Sequence, residues 1–256
     1  MGVTLLSLQN CTIQFGGLVA VSELCLEVSS DALLGLIGPN GAGKTTVFNI
    51  VTGVYQPTSG RIIYDGRDIA GMKPHQVANL GIARTFQNIR LFPSLTVYET
   101  VQTALRKNIK YGFAQAVIRP ESLFRQEKII HDTIHEVLDF FGLVPYENEM
   151  ATSLPYGIQR RVEIVRALAT KPRLLLLDEP AAGMNPAEKA ELMGLIGAAR
   201  EHYKCAIFLI EHDMKVVMGI CEQIAVLDYG IKIAEGSPRE IQNNPRVIEA
   251  YLGEKV

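Results

Sequence analysis

A glycine-rich segment carries the clearest chemistry in this sequence. The run GPNGAGKTT has glycine, lysine and threonine at the spacing G-x-x-x-x-G-K-T. Such glycines let backbone N–H groups turn inward around an anion, and a helix beginning there directs its positive end at the same anion. Lys44 adds a charge for the β- and γ-phosphates, and Thr45 adds a hydroxyl for Mg²⁺. The segment predicts a phosphate-binding loop whose nucleotide contacts are Gly38, Pro39, Asn40, Gly41, Ala42, Gly43, Lys44, Thr45 and Thr46.

An acidic pair directly after an apolar run supplies the second part of a phosphate site. Leu174–Leu177 precedes Asp178 and Glu179. A carboxylate at the end of a buried strand holds Mg²⁺ through water, and a second carboxylate is placed to polarise the water that attacks a γ-phosphate. An isolated acidic pair is often only a solvated turn. Beside a phosphate-binding loop, we expect Asp178 in a metal site and Glu179 as a catalytic base.

The elements that must position these residues follow from the pattern of apolar runs. Short runs rich in Leu, Ile and Val alternate with longer helical patterns, which is typical of a parallel sheet covered by helices. The runs are Leu33–Ile37, Leu174–Leu177, Ala206–Ile210 and Ile224–Leu227. Leu33–Ile37 leads into the glycine-rich segment and the helix-competent stretch Thr45–Val54 follows it, which is the strand–loop–helix context that the motif requires.

Other segments follow different patterns. Leu5–Phe15, Ala20–Val28 and Gly60–Tyr64 are more polar and alternating, which predicts antiparallel strands. Thr96–Lys107 and Gln126–Phe141 are amphipathic and predict helices. The apolar face of the second comprises Ile129, Ile130, Ile134, Val137, Leu138 and Phe141. Near the end of the chain, residues 228–230 predict a hairpin turn and Pro245–Leu252 a short helix.

Composition excludes several classes of protein. The chain has 256 residues, 48% hydrophobic and 20% charged, with a formal net charge of −2. It is long enough to bury a core without disulfides or metal, and its charge balance gives no reason to expect a nucleic-acid partner. No apolar run approaches the roughly 18–20 residues of a membrane span. We expect no secretory signal at the N-terminus.

The cysteines and histidines of this sequence do not predict a metal site. Cys11, Cys25, Cys205 and Cys221 are scattered without ligand spacing, which predicts small buried side chains in a reducing compartment. His131 and His135 stand four residues apart, but without a third ligand we expect a solvated helix face.

Further segments identify the chain as resembling ABC ATPases over essentially its whole length. Residues 154–161, LPYGIQRR, resemble the signature motif, whose general form is LSGGQ. Phe86-Gln87 resembles the Q-loop, residues 181–186 the D-loop, and residues 211–213 the switch-histidine loop. The finer resemblance is to the ATP-binding subunit of branched-chain amino-acid importers. It is carried by FGGLVAV (15–21), GIARTFQNIRLFPSLTVYE (81–99), AAGMNP (181–186), IEHDMKVVMGI (210–220) and NNPRVIEAYLGE (243–254).

This resemblance implies a fold and a division of the chain. The fold is α/β: the P-loop NTPase fold of ABC ATPases, with a RecA-like parallel-sheet core, an N-terminal antiparallel β subdomain and an inserted α-helical subdomain. Residues 1–256 would form a single nucleotide-binding domain. Its core would comprise residues 1–87 and 156–256, and its helical subdomain residues 88–155.

The resemblance also implies roles for individual residues, with ATP and Mg²⁺ as cofactors. Phe15 would stack on adenine, although an aromatic on an alternating strand could also be a core residue. Gln87 would contact Mg²⁺ and the attacking water, and His212 would contact the γ-phosphate. Tyr156 and Gly157 would reach ATP held by a second subunit. Catalysis would thus rest on Glu179, His212 and Gln87, and the metal on Thr45, Gln87 and Asp178.

Three departures from the wider family's motifs concern turnover. Pro155 stands where the signature motif has Ser, Ile158 replaces a Gln, and Asn185 replaces the commoner Asp of the D-loop. Proline suits the first turn of a helix, so the amide of Gly157 would still be available to phosphate. We expect hydrolysis at the chain's own P-loop and a weaker site where it completes the ATP site of its partner.

The resemblance implies a peripheral protein at the cytoplasmic face of the inner or plasma membrane. Its partners would be two transmembrane permease subunits and a second ABC ATPase, either a related chain or, when isolated, a second copy. An extracytoplasmic amino-acid-binding protein would act indirectly. Alternatives are ATPases for urea or amide import or for lipopolysaccharide export, and a soluble ABC protein acting on ribosomes or DNA. A GTPase is disfavoured because there is no Asn-Lys-x-Asp guanine motif.

Overall fold

The computed structural model describes residues 2–106 and 121–252, which fall into two compact units. The first, here called the core unit, comprises Met1–Gln87 and Arg173–Val256, and the second, the helical unit, comprises Asn88–Pro172. Within the described residues, no helix combines the length and the apolarity needed to cross a membrane.

The core unit begins with an antiparallel sheet. Its strands are β1 (Thr4–Phe15), β2 (Leu18–Ser29), β4 (Ser59–Tyr64) and β5 (Arg67–Asp68), in the order β2-β1-β4-β5. The alternation predicted from sequence is present: on β2, Leu24 and Leu26 are buried while Cys25 between them is exposed. The expectation that every cysteine is buried is therefore wrong for Cys25, because the two-residue period of a strand turns it outward.

A second, six-stranded sheet lies in the same unit. Its strands are β3 (Leu33–Ile37), β6 (Ile82–Arg84), β7 (Leu174–Asp178), β8 (Ala206–Ile210), β9 (Gln223–Asp228) and β10 (Ile231–Gly236), in the order β10-β9-β3-β8-β7-β6. All neighbours are parallel except β9 and β10. Strands β3, β7 and β8 are buried along their whole length, as their continuous apolar sequences predict.

Nine α-helices lie within the described residues, 2–106 and 121–252. They are α1 (Lys44–Val51), α2 (Pro74–Asn79), α3 (Val97–Arg106), α4 (Glu121–Phe140), α5 (Tyr156–Ala169), α6 (Pro186–Tyr203), α7 (Met214–Ile220), α8 (Pro238–Gln242) and α9 (Pro245–Leu252). The predicted fold, a parallel α/β core with an antiparallel β part and inserted helices, is confirmed.

The helical unit contains α3, α4 and α5, and two short 3₁₀ turns, Val144–Tyr146 and Ala151–Ser153, lie between α4 and α5. On α4 the predicted apolar face is buried, except that Ile129 is 64% exposed and lies outside the stripe. The unit continues to Pro172, beyond the predicted end at residue 155, because α5 packs against both α3 and α4. The helix that follows the signature motif thus belongs with the helices before it.

Parallel pairing brings three strand ends to one edge of the six-stranded sheet. Leu36 of β3 aligns with Ile210 of β8, and Asp178 of β7 aligns with the same residue. The segments that follow these strands are therefore neighbours. They are the glycine-rich loop, the acidic pair and the segment that begins at Glu211.

Candidate nucleotide site

The glycine-rich segment forms the loop between β3 and α1. Gly38, Gly41 and Gly43 all have positive φ, and a Cβ on Gly43 would lie 2.6 Å from the carbonyl oxygen of Ala20. Only glycine suits these positions without strain. Gly43 is the N-cap of α1 and has no side chain to accept the first-turn N–H groups, so those donors remain suited to an anion.

Lys44 is the buried cation of this loop. Its Nζ donates to the carbonyl oxygens of Gly38 at 2.7 Å and Pro39 at 2.9 Å. Burial lowers the pKa of Lys44, whereas the charges of Glu179 and Asp178 raise it. Thr45 is exposed and Thr46 half-buried at the start of α1. The acidic pair therefore lies within electrostatic reach of the phosphate-binding lysine, as the sequence predicts.

Asp178 is held at the end of β7 by an arginine that sequence reasoning missed. Arg84 of β6 donates from Nη2 to Asp178 Oδ2 at 2.9 Å, and both side chains are nearly inaccessible. The same guanidinium donates to Asn49 Oδ1 at 2.8 Å and lies 5.0 Å from the ring centre of Phe86. The hydrogen bond to Asp178 fixes the position of its carboxylate at the end of the strand. The sequence offered one signal for this role, because Arg84 is a charged residue that directly follows the apolar residues Ile82 and Ala83 of β6.

Glu179 is the centre of a polar cluster at the sheet edge. Gln87 Nε2 donates to Glu179 Oε2 at 2.9 Å, and His212 Nδ1 lies 3.6 Å from the same oxygen. The structure therefore brings together the three residues assigned to catalysis from different parts of the sequence. A carboxylate flanked by an amide and an imidazole can orient and deprotonate a water molecule.

The backbone of Glu179 is strained. Its φ is 47°, in the left-handed region that a non-glycine residue rarely adopts. Such a conformation costs about 1–3 kcal/mol and persists where surrounding contacts impose it. One of these contacts is the hydrogen bond from Glu179 N to the carbonyl oxygen of Ile210, at 2.9 Å.

Phe15 lies at the end of β1 and is 44% exposed, so it is not a core residue. Its ring packs edge-on with that of Tyr55, with centroids 5.1 Å apart. In a T-shaped pair at most one face of Phe15 is covered, which leaves a face for a flat aromatic ligand. Tyr55, which the sequence analysis did not single out, is placed by its N–H, which donates to the Asn49 carbonyl at 3.2 Å.

The signature segment opens helix α5 in the helical unit. Pro155 is the N-cap, one residue ahead of the predicted position in the first turn. Its carbonyl accepts the N–H groups of Ile158 and Gln159, both at 3.0 Å. Tyr156 and Gly157 therefore occupy the first two helical positions, whose N–H groups face out of the helix end.

Asn185, the D-loop departure, has a structural role. As N-cap of α6 its side-chain oxygen accepts from Ala187 N at 2.9 Å and Glu188 N at 3.0 Å, and Glu188 completes the capping box. Asparagine and aspartate cap helices about equally well. The loss of a charge at this position therefore leaves α6 capped.

Neither the histidine pair nor the cysteines form a metal site in the part of the chain that the structure describes. His131 and His135 contact each other on α4, with ring centroids 4.3 Å apart. The Tyr98 hydroxyl oxygen lies 3.1 Å from His131 Nδ1, and Glu147 Oε2 lies 3.5 Å from His135 Nδ1. The pair is part of the packing between α3 and α4.

Fold and site together define a class of protein. A phosphate-binding loop after β3, a carboxylate pair after β7 and a histidine after β8, all at one edge of a parallel sheet, are the parts of a nucleoside-triphosphate hydrolase. In the helical unit, the signature segment opens a helix, a position whose first N–H groups are suited to an anion.

Comparison with known proteins agrees. The family model described as "ABC transporter" matches residues 21–182, and the model "Branched-chain amino acid ATP-binding cassette transporter" matches residues 232–256. The high-affinity branched-chain amino acid transport ATP-binding protein LivG of Escherichia coli (strain K12) is 45% identical over 99% of this chain and 100% of its own length. BraF of Pseudomonas aeruginosa, with the same description, is 43% identical over the same shares.

Two further proteins are similar to this chain at lower sequence identity. The lipopolysaccharide export ATP-binding protein LptB of Haemophilus influenzae is 32% identical over 99% of both chains. The crystal structure of the ADP conformation of MJ1267, an ATP-binding cassette of an ABC transporter, superposes with a TM-score of 0.83. It has 26% identity and covers 98% of this chain and 100% of its own. The chain belongs to the family of ABC transporter ATP-binding proteins, in its branched-chain amino acid transport branch, and is an ATP-binding, ATP-hydrolysing subunit.

Proposed function

We propose that this chain powers the uptake of the branched-chain amino acids leucine, isoleucine and valine through separate permease subunits. The chemistry rests on one observation, the convergence of Gln87 and His212 on Glu179 beside the buried Lys44. The substrate rests on the higher identity to branched-chain amino acid transport proteins, 45% against 32% for the lipopolysaccharide export protein.

In the proposed reaction the residues of the core unit act on the γ-phosphate of ATP. Glu179 accepts a proton from the attacking water, and Gln87 orients that water through its amide. His212 and Lys44 stabilise the charge that develops on the phosphate oxygens. Lys44 opens α1 after the loop that follows β3, and Glu179 and His212 follow β7 and β8, so these groups are placed by one sheet before ATP binds. Phe15 offers its open face to adenine.

The residues present fit a Mg²⁺ ion, with Thr45, Asp178 and Gln87 as the groups that would hold it. All three supply oxygen donors, which this cation prefers, and Asp178 is held in place by Arg84. A Mg²⁺ ion held by these residues would supply positive charge to neutralise the phosphate oxygens. Removal of divalent cations is expected to stop turnover.

The partners follow from the family. The proposed assembly contains two permease subunits, a second ABC ATPase and, outside the membrane, an amino-acid-binding protein. Tyr156 and Gly157 would contact ATP held by the second ATPase, so ATP is enclosed only when two subunits close. Phe92, five residues after Gln87 in sequence and 52% exposed, offers an apolar side chain to a permease. The chain would then act at the cytoplasmic face of the membrane.

The test is reconstitution with candidate permease subunits. Vesicles containing the complex, ATP and the matching binding protein should accumulate labelled leucine, isoleucine and valine, and vesicles carrying Glu179→Gln should not. Uptake of urea or amides instead, or stimulation by lipopolysaccharide, would reassign the substrate while keeping the ATPase. Uptake by the Glu179→Gln complex would remove Glu179 from its role.

A further inference from the structure

A buried carboxylate next to the proposed catalytic cluster has no role in the reaction described above. Glu211 follows β8 and is 1% exposed. Its Oε1 accepts the N–H of Ala181 at 2.9 Å, and its Oε2 accepts the N–H of His212 at 3.2 Å. One side chain therefore connects the loop after β7 with the loop after β8.

These hydrogen bonds bracket the strained residue. Glu179 lies two positions before Ala181, and its own N–H donates to the carbonyl of Ile210, the residue before Glu211. The segment from Glu179 to Ala181 is thus fixed at both ends by two consecutive residues of the β8 end. A left-handed glutamate persists only where the surroundings impose its conformation, and these contacts supply that constraint.

Glu211 is also suited to this task by its chemistry. A carboxylate can accept hydrogen bonds from two loops at once, whereas an amide side chain accepts at one end and donates at the other. Burial raises the pKa of Glu211 above its ordinary value, and the N–H groups of Ala181, His212 and Asp213 offset only part of that rise. The ionised form is the one that these donors stabilise.

We propose that Glu211 is a positioning residue that sets the backbone of Glu179 and of His212, and thereby the distance between their side chains. This inference rests on the proposed roles of Glu179 and His212 in hydrolysis. Loss of the carboxylate should lower turnover while ATP binding, which depends on the P-loop and Phe15, stays intact. A residue needed only for folding would instead lower stability and leave the turnover of the folded protein unchanged.

The experiment uses the full chain and the variant Glu211→Gln, which keeps the size and removes one acceptor. Steady-state ATPase activity gives kcat and KM, equilibrium binding gives the ATP affinity of the isolated chain, and hydrogen exchange reports on the peptide containing Ala181. Glu222→Gln is the matched control, since Glu222 pairs with Arg200 on the surface. Glu211→Asp, which keeps the charge on a shorter stem, should recover part of the activity.

For Glu211→Gln we expect kcat to fall at least tenfold, KM and ATP affinity to stay within twofold, and the amide of Ala181 to exchange faster. The control should match the wild type. A folded Glu211→Gln variant with kcat within twofold of wild type, or with unchanged exchange at Ala181, overturns the inference. So does a variant that no longer folds or binds ATP. Glu179→Gln distinguishes this inference from the proposed function. ATPase activity in that variant refutes the proposed function, whereas hydrogen exchange at Ala181 in Glu211→Gln still tests whether Glu211 holds the loop after β7.

Discussion

The core unit and the helical unit each contain a buried arginine–carboxylate pair, and the two pairs differ in how they are made. In the core unit Arg84 meets Asp178 across 94 positions of sequence, on neighbouring strands β6 and β7. In the helical unit Arg160 meets Glu163 three residues later on α5, at 2.6 Å. A helix brings such neighbours together by itself, whereas the first pair exists only once the sheet has formed.

The two pairs support different parts of the proposed mechanism. The long-range pair in the core unit holds a carboxylate proposed to bind the metal, so folding of the sheet and assembly of the site are one event. The local pair stiffens the helix whose first residues, Tyr156 and Gly157, would contact a second subunit's nucleotide. We therefore expect turnover to be sensitive to the core unit in the isolated chain, and to the helical unit only in the assembled pair.

The largest expected effect tests the chemistry of the core unit. Glu179→Gln should reduce kcat by about 100-fold or more, because a positioned general base contributes about 10²–10⁴-fold. ATP affinity measured by equilibrium binding should be unchanged. Glu127→Gln, the same change at an exposed position on α4, is the control and should keep wild-type activity. Equal losses in the two variants would contradict the assignment.

The second prediction compares the two buried pairs directly. Arg84→Met and Arg160→Met each remove an arginine that donates to a buried carboxylate, and breaking a buried pair costs about 3–5 kcal/mol in the free energy of unfolding. The loss should be smaller for Arg160→Met, because Arg166 Nη2 remains 4.0 Å from Glu163 Oε1. Urea unfolding checks the stability, and ATPase activity of the folded fraction separates the pairs. Arg84→Met should lose turnover because Asp178 loses the hydrogen bond from Arg84, while Arg160→Met should keep ATP binding. Loss of ATP binding in the Arg160 variant alone would reverse the comparison.

The third prediction compares two aromatic residues of equal exposure. Phe15 in the core unit and Tyr156 in the helical unit are each 44% exposed. Phe15→Ala should weaken ATP binding to the isolated chain by about 1–3 kcal/mol, the range for stacking of a base on an aromatic ring. Tyr156→Ala should leave that affinity unchanged. Titration of the monomeric chain with ATP measures the affinity of each variant. Similar affinities for the two variants would mean that Phe15 does not contact adenine.

The smallest effect concerns the departure at the signature segment. Pro155 caps α5 without a side-chain hydrogen bond, so Pro155→Ser should add a cap and stabilise the helix by about 0.5–1 kcal/mol. In the assembled transporter the serine should also raise the ATPase rate if proline weakens the site completed in the partner. An unchanged rate, measured beside a confirmed rise in thermal stability, would show that proline costs nothing in turnover.

Much of the core unit could be predicted from sequence because its signals are local. Strand β8 and helix α9 have the predicted bounds, since continuous apolar runs and a proline at a helix start are read within a few residues. The phosphate-binding loop follows β3 as its motif requires. The extent of the helical unit was not predicted beyond residue 155, because α5 joins it through packing and no pattern within α5 reveals its neighbours.

The sequence by itself predicted the phosphate-binding loop and the acidic pair, because each is a short motif whose chemistry depends on residue type and spacing, whereas His212 was predicted from the family resemblance. Only the tertiary structure decided that Arg84 holds Asp178, that Gln87 and His212 meet at Glu179, and that Glu211 ties two loops together. These contacts join residues far apart in the chain. They arise because parallel strands end at the same edge of a sheet, and strand order is a property of packing that no local pattern encodes.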